Sequence, residues 1–515
     1  MCKINSLSFL LFSLLCSIQL LSANNTATLF KQANKLFSEH KLEQAIQLYK
    51  KALELTPHSP EIHSNLGLAH FFMGKYNEAI FYFERAISIN QNHKKPYKYL
   101  GKTFNRINEY VKSIQCLRKA LALDPNDFDC KFLISENLVK LNKLEIAEKL
   151  CKALLKSHPG HLFLTYNTAY ILKLQGKFEE AIQYYKKALQ LSPGMDLAHL
   201  GMAKALLATG QLQSAWKHFE YRFAKPEQHN KIFNYKQLTL DHFIGKSILI
   251  RSEWGLGDMM HFVRYAKRLK EAGAKKIYVQ SHTPLVHLFK QCDYIDCVLQ
   301  KGDLSPPFDI QIPMMSLPLL FQTTLETIPV DIPYLYADKK LAQHWKEKLA
   351  HDTSFKIGIC WHAKPIFLEE NNLTKRSVEL KLFVPLAEID NVSFYSLQKI
   401  YGTDQLEKLP EHFTVKTFGP DFDTTQGRFM DTAAVIENLD LVISADTSIV
   451  HLAGAMGKKV WVLIPYVAEW RWLKDGTKTP WYPNNMKLFR QKEPNNWHDV
   501  IEEIKTELKK LKETL

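Results

Sequence analysis

Small residues recur along this chain at an unbroken spacing of 34: Ala45, Ala79, Ser113, Ala147, Ala181 and Ala215. Four residues after each, one helical turn on and on the same face, stand Tyr49, Phe83, Leu117, Cys151, Tyr185 and Phe219. Pro57, Pro125, Pro159 and Pro193 hold the same phase, with Gln91 in the one gap. Each unit reads as two amphipathic helices, with a small residue where they cross, a larger apolar residue in the groove and proline ending the pair. A unit of that size cannot bury its apolar face alone, so residues 26–223 are expected to stack as an α solenoid of six repeats. Tyr, Phe and His at repeat positions are read as core. Asn65, Asn105, Asn137 and Asn167 do not hold one phase and are not read as a peptide-clamping ladder.

After residue 230 the pattern changes to alternating strands and helices. Lys246–Arg251 reads as a strand, followed by Ser252-Glu253-Trp254-Gly255-Leu256-Gly257-Asp258, a helix from about Met259 to Ala272 and a strand over Lys275–Gln280. Gly255 and Gly257 would let backbone approach a ligand, and Asp258 either meets that ligand or caps its own helix. A second series begins with a strand at Phe355–Trp361, a helix near Leu382–Ile389 and a strand at Val392–Leu397. It continues through Leu439–Ile443, the turn Ser444-Ala445-Asp446-Thr447-Ser448, a helix carrying His451 and Gly454, and the strand Val460–Ile464. That turn sets Asp446, Thr447 and Ser448 at a helix N-terminus, where free N–H groups and the helix dipole favour an anion such as phosphate. An ordinary capped helix explains the same residues. The two series suggest two Rossmann-like domains facing a cleft, at residues 231–345 and 354–500, with a C-terminal helix over 501–515.

The chain of 515 residues has a formal net charge of +14. Residues 24–230 hold 29 Lys and Arg against 18 Asp and Glu, whereas the remainder to the C-terminus is nearly balanced at 37 against 35. The basic excess in the repeats suits an acidic partner, or reflects a lysine-rich genome; nothing in it calls for nucleic acid. Lys3 followed by the uncharged stretch Leu7–Leu21 and then Ser22-Ala23 makes residues 1–23 read as a signal peptide or an uncleaved anchor. No other segment is apolar enough to span a membrane. Beyond Cys2 and Cys16, the thiols are Cys116, Cys130, Cys151, Cys292, Cys297 and Cys360; no CxxC occurs, and they read as reduced and buried, with no metal site. The leader points to export or membrane attachment and the thiols to the cytoplasm.

Two resemblances sharpen this reading. Asn65-Leu66-Gly67-Leu68-Ala69 and Gly176-Lys177-Phe178-Glu179-Glu180-Ala181 make the 34-residue units resemble tetratricopeptide repeats. Trp254-Gly255-Leu256-Gly257-Asp258, Asp431-Thr432-Ala433-Ala434, Asp446-Thr447-Ser448 with His451-Leu452-Ala453-Gly454-Ala455, and Trp470-Arg471-Trp472 through Gln491 resemble another family in order and spacing. It is the bacterial repeat proteins whose C-terminal half is similar to heptosyltransferases of glycosyltransferase family 9, and more distantly to O-linked N-acetylglucosamine transferases. The resemblance implies a GT-B fold, an acceptor on the first half, a nucleotide-sugar donor on the second, and no cofactor or metal. It makes Asp258 the candidate general base. Thr447 and Ser448 would hold the donor diphosphate, Asp446 and His451 the sugar, and Lys364 or Arg376 would offset charge on the leaving diphosphate. Ala363 departs from the glycine of many relatives, and Lys458-Lys459 from the usual Lys-Pro. A nucleotide-sugar donor is generally cytosolic, which conflicts with an exported chain. The alternatives are an interaction scaffold with a non-catalytic transferase-like half and, further off, a nucleotide-sugar epimerase. In either of the first two readings the repeats hold a protein or peptide.

Overall fold

The computed structural model describes residues 25–223, 239–364 and 373–514. The expected leader lies outside those residues. The chain divides into two compact units, Met1–Ile171 and Leu172–Leu515, with the division falling inside helix Leu162–Leu174.

In the first unit, residues 25–38 form helix α1. It is followed by α2 (Leu42–Leu55), α3 (Pro60–Phe72), α4 (Tyr76–Ile89), α5 (Lys94–Arg106), α6 (Tyr110–Leu123), α7 (Phe128–Lys140), α8 (Leu144–Ser157) and the start of α9 (Leu162–Leu174). Pro57, Pro125 and Pro159 each stand two residues beyond the end of α2, α6 and α8, where a missing N–H costs no helical hydrogen bond. Ala45, Ala79, Ser113 and Ala147 are fully buried, as are Phe83, Leu117 and Cys151. The crossings are tight: a Cβ on Gly67 would lie 2.6 Å from the Phe83 ring, and one on Gly101 2.7 Å from Leu117. Ser113, the one hydroxyl in the small-residue series, donates to the Gly101 carbonyl at 2.6 Å and accepts from Asn137 at 2.7 Å. The asparagines bond across neighbouring repeats, Asn65 to Asn34 at 2.9 Å and Asn105 to Asn137 at 2.5 Å.

The second unit opens with the end of α9, then α10 (Phe178–Leu191), α11 (Asp196–Ala208) and α12 (Leu212–Phe219). The same pattern continues, with Ala181, Tyr185, Ala215 and Phe219 fully buried. These helices join the α/β part directly. Trp216 Nε1 donates to the Thr323 carbonyl at 2.8 Å, and the buried Arg222 bridges Glu220 at 2.7 Å and Glu253 at 2.9 Å.

Two parallel sheets follow. β1 (Ser247–Arg251), β2 (Lys276–Ser281), β3 (Cys297–Gln300) and β4 (Ile310–Pro313) lie in the order β3-β2-β1-β4. β5 (Phe355–Cys360), β6 (Val392–Ser396), β7 (Val415–Lys416), β8 (Leu441–Ala445), β9 (Val460–Ile464) and β10 (Met486–Arg490) lie in the order β10-β9-β8-β5-β6-β7. Every residue of β8 and β9 is buried, as central parallel strands covered on both faces must be. The chain reverses its direction of winding between β1 and β4 and again between β5 and β8. Such switch points open a crevice at the carboxyl ends of the strands.

Local departures from the expected elements have identifiable causes. The helix expected over Met259–Ala272 is two helices, Leu256–Phe262 and Arg264–Glu271. Arg264 Nε donates to the His261 carbonyl, and Ala266 N–H bonds Val263 three residues back, so the ladder tightens at the junction. The helix expected near Leu382–Ile389 is a 3₁₀ run, Leu380–Glu388, with Pro385 inside it; proline has no N–H to continue an α ladder. The C-terminal helix begins earlier than expected, at His498, and runs to Glu513. Among the described residues no helix is long and apolar enough to cross a membrane.

Candidate functional site

A cavity of about 1140 Å³ opens within the second unit, where the carboxyl ends of β1, β5, β6, β8 and β9 converge. Gly255, Gly257, Asp258, Lys364, Arg376, Asp446, Thr447, Ser448 and His451 all line it. Asp258 and His451 are separated by nearly two hundred residues in sequence, and the fold brings them to one space.

The glycine-rich turn follows β1 and packs on helix Ser448–Ala455 from the other sheet. A Cβ on Gly257 would sit 3.0 Å from His451 Cδ2 and 3.4 Å from Ser448 Cα, so glycine permits the approach. Asp258 does what its position at a helix start suggests, accepting from Gly255 N–H at 2.8 Å on one oxygen. Its other oxygen takes Arg471 Nη2. Arg471 also donates to Glu469 through Nη1 at 2.7 Å and through its backbone N–H at 2.9 Å. The guanidinium thus lies between one carboxylate from each half of the cleft. Burial raises the Glu469 carboxyl above its ordinary value, opposed by Arg471.

At the turn after β8, Thr447 is the N-cap, its hydroxyl accepting from Ile449 N–H at 3.3 Å. The same oxygen lies 3.2 Å from Ser444 Oγ and 3.6 Å from Cys360 Sγ. The Thr447 hydroxyl therefore faces into the turn, and Ser448 beside it also lines the cavity. Asp446 is buried and its carbonyl accepts from Arg376 Nη1 at 3.2 Å. Lys364 is exposed at the cavity edge. Gln398 shapes the loop after β5: its Oε1 accepts from Trp361 N–H at 3.0 Å and His362 N–H at 2.8 Å.

His451 stacks on Trp472, with ring centroids 5.4 Å apart and an interplanar angle of 12°, and its Nδ1 lies 3.1 Å from Tyr482 Oη. Burial, reinforced by Arg471, pushes the imidazole well below its usual value, so it is neutral. His261 behind it is likewise pushed well down by burial and by Arg264.

Sequence reasoning did not single out Arg471, Glu469, His261 or Trp254 as site residues. The signal available for Trp254 was its place before the glycines. It is 44% exposed, it lines the cavity, and it holds a positive φ of 43°. Ile400 and Phe429, with φ of 70° and 67°, line the same space. Bulky residues seldom adopt this conformation, and such strain clusters at functional sites. Trp470, Trp472, Trp481 and Tyr482 are buried, and Trp470 also lines the cavity. Asp431 is also structural, receiving Trp345 Nε1 at 2.8 Å and Asp423 N–H at 2.8 Å.

Residues 33–74 match the family described as TPR repeat, and residues 60–93 and 172–218 match the tetratricopeptide repeat family. The N-terminal solenoid is therefore built of tetratricopeptide repeats. Protein FlbA of Caulobacter vibrioides is 22% identical over 503 residues, covering 90% of this chain and 81% of FlbA. Protein O-mannosyl-transferase TMTC1 of Homo sapiens is 26% identical over 172 residues, covering 33% of this chain and only 20% of TMTC1. Among solved structures, YrrB, described as a TPR protein with an unusual peptide-binding site, is 26% identical with a TM-score of 0.31. It covers 33% of this chain and 88% of its own. The first TPR of Spaghetti (RPAP3), solved with an HSP90 peptide, is 23% identical with a TM-score of 0.23, covering 23% of this chain and 94% of its own.

Proposed function

We propose that this chain is a metal-independent glycosyltransferase of the GT-B type, moving a sugar from a nucleotide-sugar donor to a protein or glycan acceptor chosen by the repeats. The observation that carries the reading is the convergence of all nine candidate residues on one cavity at the switch points of two parallel sheets. Counted from β5, the second sheet has the strand order 3-2-1-4-5-6 of dinucleotide-binding folds. The likeness to the human O-mannosyl-transferase spans only a fifth of that protein; the cleft carries the reading.

In this reading the donor diphosphate sits at the N-terminus of helix Ser448–Ala455, bonded by Ser448 and faced by Arg376 and Lys364. Negative charge growing on the leaving diphosphate is offset by those cations and the helix dipole, the groups that serve where no divalent ion does. Asp446 and His451 face the sugar. Each Asp258 oxygen already holds one donor but keeps a second lone pair, so an acceptor hydroxyl can still bond it and lose its proton there. The glycine turn approaches close enough for acceptor and donor to meet.

Titration of ADP, UDP, GDP and CMP into the folded chain by calorimetry tests the reading, with Asp446→Ala as control. Selective binding of one nucleotide, lost in the variant, is the expected result; no binding by folded protein would overturn it. A second reading, an interaction scaffold whose transferase-like half is non-catalytic, draws on the same Asp258–Arg471 pair, since a clasp of that kind also serves structure alone. It predicts partner capture by residues 24–230 that neither Asp446→Ala nor Asp258→Asn disturbs.

A further inference from the structure

Behind the cavity wall lies a buried polar cluster that meets the donor reading only at His451. Gly454 lets the Tyr482 ring lie against helix Ser448–Ala455, where a Cβ would come within 2.9 Å of it. The Tyr482 hydroxyl is thereby set next to His451, one helical turn earlier. Three polar atoms lie within hydrogen-bond geometry of that oxygen, His451 Nδ1 at 3.1 Å, His261 Nδ1 at 3.2 Å and Tyr334 Oη at 3.2 Å, and the Arg264 guanidinium lies 4.7 Å from the ring centroid. Tyr334 Oη accepts from Arg264 Nη2 at 2.7 Å and has two acceptors in reach for its own proton, Tyr482 Oη at 3.2 Å and, further off at 3.5 Å, the His261 carbonyl that Arg264 Nε already occupies. Arg264 is itself tied to the carbonyls of His261, Pro329 and Trp481.

A phenol has one proton to give and two lone pairs to receive with. Three partners are satisfied together if Tyr334 donates to Tyr482, one histidine donates to Tyr482, and Tyr482 donates to the other histidine; the other arrangement, with both histidines donating, would send the Tyr334 proton to the more distant His261 carbonyl at 3.5 Å, so the first is favoured. The two imidazoles, both neutral, must then be opposite tautomers. His261 Nε2 is buried with no hydrogen-bond partner. An orphaned N–H is rarer in protein interiors than an under-used acceptor, so His261 carries its proton on Nδ1 and gives it to Tyr482. The Tyr482 proton then goes to His451 Nδ1.

We infer that Tyr482 is a positioning residue that fixes His451 as the Nε2–H tautomer, presenting a neutral hydrogen-bond donor to an oxygen of the ligand in the cleft. That the ligand is a nucleotide sugar rests on the reading above; the tautomer does not. Hydrogen-bond donation without charge suits a sugar hydroxyl or a bridging phosphate oxygen, and it cannot be lost by deprotonation in the physiological range.

The test is long-range ¹H–¹⁵N correlation spectroscopy on the full chain with ¹⁵N-labelled histidine, His451 and His261 being assigned by difference from His451→Gln and His261→Gln. The expected wild-type pattern is Nε2–H for His451 and Nδ1–H for His261. Tyr482→Phe is expected to turn the His451 signal into a mixture of tautomers. Tyr334→Phe, which leaves the Tyr482 hydroxyl in place, is expected to keep His451 as Nε2–H and gives a second test if Tyr482→Phe does not fold: a His451 tautomer already mixed there would overturn the inference. So would Nδ1–H on His451 in the wild type, or an unchanged Nε2–H in folded Tyr482→Phe. Nucleotide titration of the same samples reports separately on the donor reading, so either idea can fail while the other stands.

Discussion

Arg471 reaches across 213 residues of sequence to the Asp258 carboxylate, joining the glycine-rich turn of one sheet to the connection after β9 of the other. The same guanidinium holds Glu469, so one cation serves two carboxylates at the cavity wall. Removing it strands both acids in a partly closed site. Arg471→Ala is expected to cost about 3 kcal/mol of stability, the scale for breaking a buried pair from one side. Urea unfolding followed by near-ultraviolet dichroism measures it. Asp258→Asn, which retains an acceptor oxygen for Arg471, should cost clearly less. Under the transferase reading that second variant binds nucleotide normally and loses turnover.

Gly257 gives a sharper handle on the cleft. Alanine there must push against the His451 ring and the backbone of Ser448. Overpacking of this kind costs roughly 1–3 kcal/mol. Gly257→Ala should therefore lower the melting temperature and weaken nucleotide binding together, whereas Gly160→Ala should do neither, because open space surrounds that glycine and its φ is ordinary.

The hydroxyls of Thr447 and Ser448 should separate cleanly. Thr447→Ala removes an N-cap and should cost about 1 kcal/mol of stability. Ser448→Ala should leave stability nearly unchanged and weaken nucleotide binding by about tenfold, the loss of one hydrogen bond to a charged group. Calorimetry and thermal melts on the two variants decide it. Equal binding by Ser448→Ala and wild type would remove Ser448 from the phosphate site.

The pH dependence of stability has a definite sign. His261 and His451 are held well below the ordinary imidazole value in the folded chain by burial, and His63, His70, His93 and His218 are lowered for the same first reason. Below about pH 6.5 the unfolded chain takes up protons that the folded chain refuses. Stability is then fully present above that pH and falls as pH drops, by up to about 1.4 kcal/mol per pH unit for each histidine. Calorimetric melts between pH 7.5 and 5.5 should show the decline, and His261→Gln should flatten it.

Solenoid stability has its own test. Gly67→Ala would place a methyl 2.6 Å from the Phe83 ring, and about 2 kcal/mol of destabilisation is expected. Hydrogen exchange should report it in α3 and α4.

The repeats were legible because close helix crossing tolerates only small side chains, and Ala45, Ala79, Ser113, Ala147, Ala181 and Ala215 expose that constraint as a period. The strands were legible from apolar runs such as Val460–Ile464, which is the observed β9. The grouping of Asp258 with Asp446 and Ser448 was legible from motif order. What single residues do inside that group was not. Pairing of Arg471 with Asp258, or of Tyr482 with His261 across 221 residues, depends on how two sheets pack, and no local pattern encodes it. The resemblance makes Thr447 a diphosphate ligand, and the fold sets Ser444 Oγ and Cys360 Sγ against its hydroxyl, a contact the motif does not encode. The break between Phe262 and Arg264 comes from a side chain competing for a carbonyl, which helix periodicity cannot register.

Trp216 and Arg222 carry a consequence for how such chains are assembled. The last repeat ends in a tryptophan bonded to the Thr323 carbonyl and an arginine that neutralises Glu253, immediately before the glycine turn. A chimaera spliced at residue 223 would inherit a cleft with an uncompensated acid beside Trp254. One spliced near residue 172 would carry these residues with it. The natural seam for exchanging repeat arrays lies inside the repeats.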